Sequence, residues 1–225
     1  MNALTVRDAY RLWAPTYSQE TAISHLEARL VDAMTMPLAG LRLLDAGCGT
    51  GRRLRNSGAA SAIGVDLCAE MLRAGIGGQE AVPELRTIVA DVRALPLSDR
   101  AFDVVWCRLV IGHLPDCKSA YMELGRVADV GGQVIVSDFH PVAYAAGHRR
   151  SFRCDGAVHE VEHHVHDLGT HLAAAQSAGL IPVEILEADI GPDVRSFYER
   201  AGRGALYEQH LGLPVVLAIA FRREG

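Results

Sequence analysis

Three aspartates and a run of glycines carry the first chemical signal in this chain. The glycines stand at 47, 49 and 51 in DAGCGTG, and Asp45, Asp66 and Asp91 lie at the ends of short apolar runs. Glycine lets the backbone turn tightly and lets a ligand approach it closely. Carboxylates at such an approach accept hydrogen bonds from hydroxyls and attract cations. A second group is rich in imidazole and guanidinium: His113 in LVIGHLPD, His140 in SDFHP, Arg149, Arg150 and Arg153, and HEVEHHVHD over 159–167. Imidazoles of this kind serve as general bases, and arginines can hold a carboxylate or phosphate through paired hydrogen bonds.

Positioning these groups requires a scaffold. Apolar runs at 41–44, 62–67, 85–92, 102–107 and 133–137 read as buried strands, and two more follow near 181–186 and 215–221. Helical spacing of apolar residues appears over 20–36, 117–127 and 168–178. Pro37 with Gly40, Gly131 with Gly132, and Gly179 end these helices. Repeated strand–helix units predict an α/β, doubly wound, mostly parallel sheet with helices on both faces. In such a sheet ligands bind beyond the carboxyl ends of the strands, near the switch point, where all three aspartates fall. Without an internal repeat or linker, one domain over 1–225 is the simplest organisation.

The glycine spacing is GxGxG. Arg52 occupies the third glycine position of a dinucleotide fingerprint, and Asp45 directly precedes the turn, which disfavours pyrophosphate. A ligand carrying an ammonium and a sulfonium, as S-adenosylmethionine does, matches the sign of the site. Asp66 is placed to accept from a ribose diol and Asp91 to meet an adenine amino group. Here the chain resembles the class I S-adenosylmethionine-dependent methyltransferases, in particular their ubiquinone/menaquinone-type small-molecule branch. DAGCGTG, GVDLCAEML, ADVRALPLSDRAFDVVWC and RVADVGGQVIVSD stand in that family's motif order over about 100 residues. The resemblance implies seven strands with the last antiparallel. It also implies a cofactor site lined by Tyr17, Asp45, Gly47, Cys48, Gly49, Asp66, Leu67, Met71, Asp91, Val92 and Cys107. AYRLWAPTYSQ looks like that branch's lid (1–36), and an insertion over 139–167 would roof the substrate. The competing interpretations are a purely structural glycine turn and a surface helix with ordinary aromatic packing.

For the acceptor side, an extended 159–167 segment would put Glu160, Glu162, His164 and His166 on one face. The expected chemistry is methyl transfer to O, N or C of a small molecule by in-line displacement, with His140, His164 or His166 as base. Tyr10, His113, Arg149, Arg153 and Glu162 are the expected substrate contacts. Gly112 replaces a histidine common in related enzymes, which puts any carried-over role of His113 in doubt. A solvated polar hairpin, a solvated arginine cluster and a His/Glu metal site are the alternatives; no metal is expected. A protein that binds the cofactor without transferring methyl is the rival function.

A net charge of -5 and pI of about 6.0 argue against a nucleic-acid partner. The stretch after the fourth strand also lacks the Asn/Asp-Pro-Pro-aromatic turn of amino-methylating DNA enzymes. Five cysteines without a CxxC pair predict reduced thiols. With no signal peptide and no run long enough to span a bilayer, a cytoplasmic location is expected. Oligomeric state is left open.

Overall fold

The computed structural model describes residues 3–76 and 85–225. The first two residues of the expected lid lie outside them. Nine strands form, in chain order, β1 Arg42–Ala46, β2 Ser61–Asp66, β3 Leu85–Val89, β4 Phe102–Arg108, β5 Ala128–Phe139, β6 Ser151–Cys154, β7 Ala157–Glu160, β8 Leu180–Asp189 and β9 Pro214–Arg223. Seven of them build one sheet in the order β3-β2-β1-β4-β5-β9-β8, while β6 and β7 pair as a separate hairpin. β1 to β5 run parallel, and β9 is antiparallel to both β5 and β8. This is the expected seven-stranded sheet with its last strand reversed. The strand order changes direction between β1 and β4, so the switch-point crevice opens beyond Ala46 and Arg108.

Eight helices accompany these strands among the described residues: α1 Val6–Trp13, α2 Ala22–Met34, α3 Ala69–Ile76, α4 Lys118–Val127, α5 Pro141–Ala145, α6 Leu168–Ser177, α7 Arg195–Arg200 and α8 Gly204–His210. Alternation along the central strands explains the layering. Leu44, Val105 and Val136 pack with Tyr121 and Leu124 of α4 and Ala175 of α6. Leu43, Val104 and Ile135 point to the other face, against Val31 and Met34 of α2. Leu43 and Leu44 are both fully buried, as a strand covered on both faces requires. The start of α2 is fixed by a capping box: Thr21 Oγ1 accepts from the Ser24 N–H while Ser24 Oγ accepts from the Thr21 N–H.

Three stretches depart from the sequence reading. β5 begins at Ala128, directly after α4, with the two glycines inside it and a register shift against β4. The insertion contains a short helix, α5, before its hairpin. Extended pairing in the hairpin ends at Glu160, apart from a single bridge between Val161 and Leu4, so 162–167 is not a strand. Among the described residues no helix is long and apolar enough to cross a membrane.

Candidate functional site

The switch point is built from the glycine turn and the ends of β2 and β4. Gly47, Gly49 and Gly51 all have positive φ. At Gly47 a Cβ would stand 2.1 Å from Val110 Cγ2, so only glycine lets the turn and the segment after β4 meet. The Gly47 and Cys48 N–H groups both donate to the Val65 carbonyl, which ties the turn to β2. Asp66, at the end of β2, accepts from the Gly49 N–H (2.7 Å) and the Cys68 N–H (2.8 Å). Burial pushes its pKa up to about 6, with these two hydrogen bonds opposing. Asp45 is more deeply buried, and its pKa rises to about 7, burial outweighing the attraction of Arg108.

Arg108 is the principal residue that sequence reading missed. Its guanidinium makes a two-pronged ion pair with Glu27 of α2, at 2.9 and 2.8 Å, and Ser137 Oγ donates to the same carboxylate. Buried polar atoms are ordinarily hydrogen-bonded. Two atoms of opposite charge here have no partner: Asp45 Oδ1 and Arg108 Nη1. The next residue, Leu109, holds a left-handed backbone (φ 55). That conformation costs a non-glycine residue about 1–2 kcal/mol. The only sequence clue was a basic residue at the end of an otherwise apolar strand.

Two cavities meet here. The smaller, of about 410 Å³, is lined by Tyr17, Gly47, Gly49, Asp66, Leu67, Met71, Asp91 and Val92, together with Arg108. Asp91 is gripped by Arg93, Nη2 to Oδ2 at 2.6 Å, which lowers its pKa. The larger, of about 680 Å³, lies under α1, the hairpin entry and the α7–α8 pair. Tyr10, Tyr17 and Leu109 border both and form the wall between them.

That wall is fastened by the N-terminal segment. Thr5 caps α1, whose Ala9 packs with Phe152 and Val161 of the hairpin region. Trp13 stacks on Phe152 at 4.9 Å and meets Tyr17 edge-on at 5.0 Å. The Leu4 N–H donates to the Glu160 carbonyl and the Glu162 N–H to the Leu4 carbonyl. Tyr10 Oη lies 2.8 Å from His113 Nε2, which also meets Arg150 Nη1. His113 Nδ1 faces the Glu162 carbonyl, so it carries the proton and Nε2 is the acceptor. Burial, then the Arg150 charge, drive the His113 pKa well down and keep the ring neutral.

The remaining expected residues scatter. His164 and Glu162 line the smaller cavity, 3.7 Å apart, and His113 does so too. The shared face expected for His164 and His166 does not form, because 162–167 is not extended. His166 is instead buried, with Nε2 2.9 Å from the Leu114 carbonyl. His140 caps α5: its Nδ1 accepts from the Val142 N–H, and its Nε2 lies 3.2 Å from Glu187. Neither His140 nor His166 lines either cavity. Arg149 lines the larger cavity, whereas Arg153 is exposed on β6 and lines neither. Asp45, Cys48 and Cys107 also line neither; Asp45 is buried at the end of β1 behind the glycine turn, and Cys107 packs in the core below the crevice. Among the described residues no three His, Cys, Asp or Glu side chains converge as a metal site.

Comparison with known proteins agrees with this geometry. Residues 44–136 match the family model described as a methyltransferase domain. The whole fold is that of the class I S-adenosylmethionine-dependent methyltransferases. The chain is similar to malonyl-(acyl-carrier protein) O-methyltransferase of Erwinia billingiae (strain Eb661), 32% identical over 61% of this chain and 54% of the relative. It is also similar to 27-O-demethylrifamycin SV methyltransferase of Amycolatopsis mediterranei (strain S699), 31% identical over 57% and 51%. The chain thus spans about half the length of these curated relatives. A solved S-adenosylmethionine-dependent methyltransferase from Mesorhizobium loti superposes with a TM-score of 0.66 at 21% identity, over 88% of this chain and 98% of its own.

Proposed function

We propose that the chain binds S-adenosyl-L-methionine in the smaller cavity and transfers its methyl group to a small molecule held in the larger one. Arg108 Nη1, a buried donor without a partner on a residue that lines the smaller cavity, carries this reading. It would take the carboxylate of an α-amino acid, while Asp45, buried behind the glycine turn, adds negative charge near the ammonium without itself lining the cavity. Asp66, held by two backbone donors, keeps acceptor capacity for a diol. Asp91 and Val92 continue the same wall toward the position of a base. The volume of about 410 Å³ lies within the usual range for small-molecule sites.

Bound there, the cofactor supplies a methyl group on a sulfonium, already an excellent leaving group. The protein's part is then alignment and exclusion of water. Tyr10, Tyr17 and Leu109 border both cavities, and the acceptor atom would reach the methyl group past them, where the two cavities meet. The Leu4–Val161 bridge and the Trp13–Phe152 stack close the lid over that junction. Of the three histidines expected as bases, His164 alone lines a cavity, the cofactor chamber, where Glu162 lies 3.7 Å from it. An acceptor that arrives already ionised needs no such base.

Incubation with methyl-labelled S-adenosylmethionine and a small-molecule cell extract tests the proposal. Label is expected in a low-mass product, matched by S-adenosylhomocysteine, with both reduced in Asp66→Ala at subsaturating cofactor. Binding of the cofactor with no S-adenosylhomocysteine formed in any extract would refute methyl transfer and leave a binding protein.

A further inference from the structure

Resting on the assignment of the larger cavity to the acceptor, we propose that this acceptor is an anion. Its body is apolar or aromatic, and its carboxylate or phosphate group is gripped by Arg150 and Arg203. The cavity runs against the sign of the whole chain. Five arginines line it, at 52, 149, 150, 200 and 203, in a chain of net charge -5. Only two carboxylates share the lining, and Glu20 is already taken by Arg53 at 2.6 Å and approached by Arg52 at 3.8 Å. The other, Glu160, is exposed.

Among the described residues, four of the five arginines of this cavity have no carboxylate partner, whereas several buried or half-buried arginines elsewhere do. Arg42, Arg93, Arg108 and Arg126 each hold a carboxylate within 3 Å. Among the described residues, Arg149, Arg150, Arg200 and Arg203 hold none. Arg149 and Arg200 lie over aromatic rings, Tyr144 at 4.0 Å and Phe197 at 4.7 Å. Arg150 is the most deeply engaged: Nη1 donates to the Leu109 carbonyl at 2.8 Å, and Nη2 is buried without a partner. An unpaired buried guanidinium nitrogen is costly unless an acceptor completes it. Arg203 is half-buried between α7 and α8 and lines the same cavity as Arg150. Trp13, Phe139, Phe197, Tyr198 and Leu206 supply apolar wall for the rest of the ligand. Arg150 touches Leu109 and His113 at the wall between the cavities, so an anion it holds lies next to the cofactor chamber.

Paired titrations with naphthoate and its neutral analogue naphthamide, on protein saturated with S-adenosylhomocysteine, test this. Naphthoate should bind at least about ten-fold more tightly than naphthamide at low salt, and added salt should erode the ratio. Arg150→Met should bring the ratio to within about two-fold. Arg203→Met, which leaves the His113 contacts intact, should lower it several-fold. Arg203→Met should bind S-adenosylhomocysteine as the parent does. Equal affinity for the two probes, no binding of either, or a ratio that survives both substitutions would overturn the proposal. Failure of S-adenosylhomocysteine to bind would defeat the cofactor assignment instead, and the naphthoate-to-naphthamide ratio measured without it would still decide the charge preference.

Discussion

The two cavities share a wall but are made differently. The smaller is assembled from strand ends and one turn, all within residues 47–115 apart from the N-terminal segment, Glu162 and His164. Its polar groups are held by backbone: Asp66 by the Gly49 and Cys68 N–H groups, the glycine turn by the Val65 carbonyl. The larger draws on the N-terminal segment, the hairpin entry and the α7–α8 pair, from Tyr10 to His210. Its polar groups are long side chains meeting one another, as in the Tyr10–His113–Arg150 cluster. Backbone-held groups keep their positions when surface sequence changes, whereas side-chain clusters are free to be rebuilt for another acceptor.

The electrostatics diverge as well. Burial raises the carboxyls of the glycine-turn region, Asp66 to about 6 and Asp45 to about 7. It lowers imidazoles on the roof side: His113, together with His148 and His163, both to about 4. The floor of the crevice and the 141–167 segment therefore respond to acid with opposite sign.

The sharpest way to break the comparison is at Glu27. Glu27→Ala strands the Arg108 guanidinium, 6% exposed, in the core. Loss of about 3–5 kcal/mol in urea unfolding is expected, as for other broken buried ion pairs. Next come matched glycines, one from each region. Gly47→Ala meets Val110 and a φ of 94°, and should cost about 2–3 kcal/mol and most of the S-adenosylhomocysteine affinity. Gly147→Ala, with φ 90° but open space around it, should cost about 1 kcal/mol and leave that affinity unchanged.

A smaller effect should appear with pH. A carboxyl raised on folding contributes stability that is present below its unfolded pKa and lost as pH rises through its folded pKa. For Asp45 and Asp66 this loss falls between about pH 4 and pH 7. Imidazoles lowered on folding contribute stability that is present above about pH 6.5 and lost as pH falls toward about 4. Hydrogen exchange in the ligand-free protein, corrected for intrinsic rates, should therefore show the 141–167 segment losing protection between pH 7 and pH 5 while 43–66 keeps or gains it. Equal loss in both segments would remove the distinction. The smallest effect belongs to Arg153→Ala on the exposed face of the hairpin, within about 0.5 kcal/mol and without change in ligand binding.

The same division explains what was legible in the sequence. The sheet could be read because each buried strand is a short apolar run, and the turn because three glycines at alternate positions demand positive φ. Asp66, Asp91 and Val92 follow from being near strand ends. Arg108 was hidden because its partner, Glu27, lies 81 positions away on a helix whose stripe looked ordinary. The roof was misjudged at His164 and His166, where alternating types suggested a strand. The chain instead leaves the hairpin after Val161, with Asp167 turning to cap α6 through the Thr170 N–H. His140 resembled a base at a strand end, but a histidine followed by proline at the start of α5 serves as its cap. The α7–α8 pair gave no chemical signature at all, and its role as cavity wall arises only from packing.

The central claim is that the turn-and-strand-end cavity is a site for S-adenosylmethionine. Calorimetric titration of the protein and of Asp66→Ala with S-adenosylhomocysteine tests it most directly. The account predicts one site per chain in the parent and affinity about 10–100-fold weaker in Asp66→Ala, the worth of a hydrogen bond to a charged acceptor. Absence of binding to the parent, or equal affinity in the variant, would contradict it.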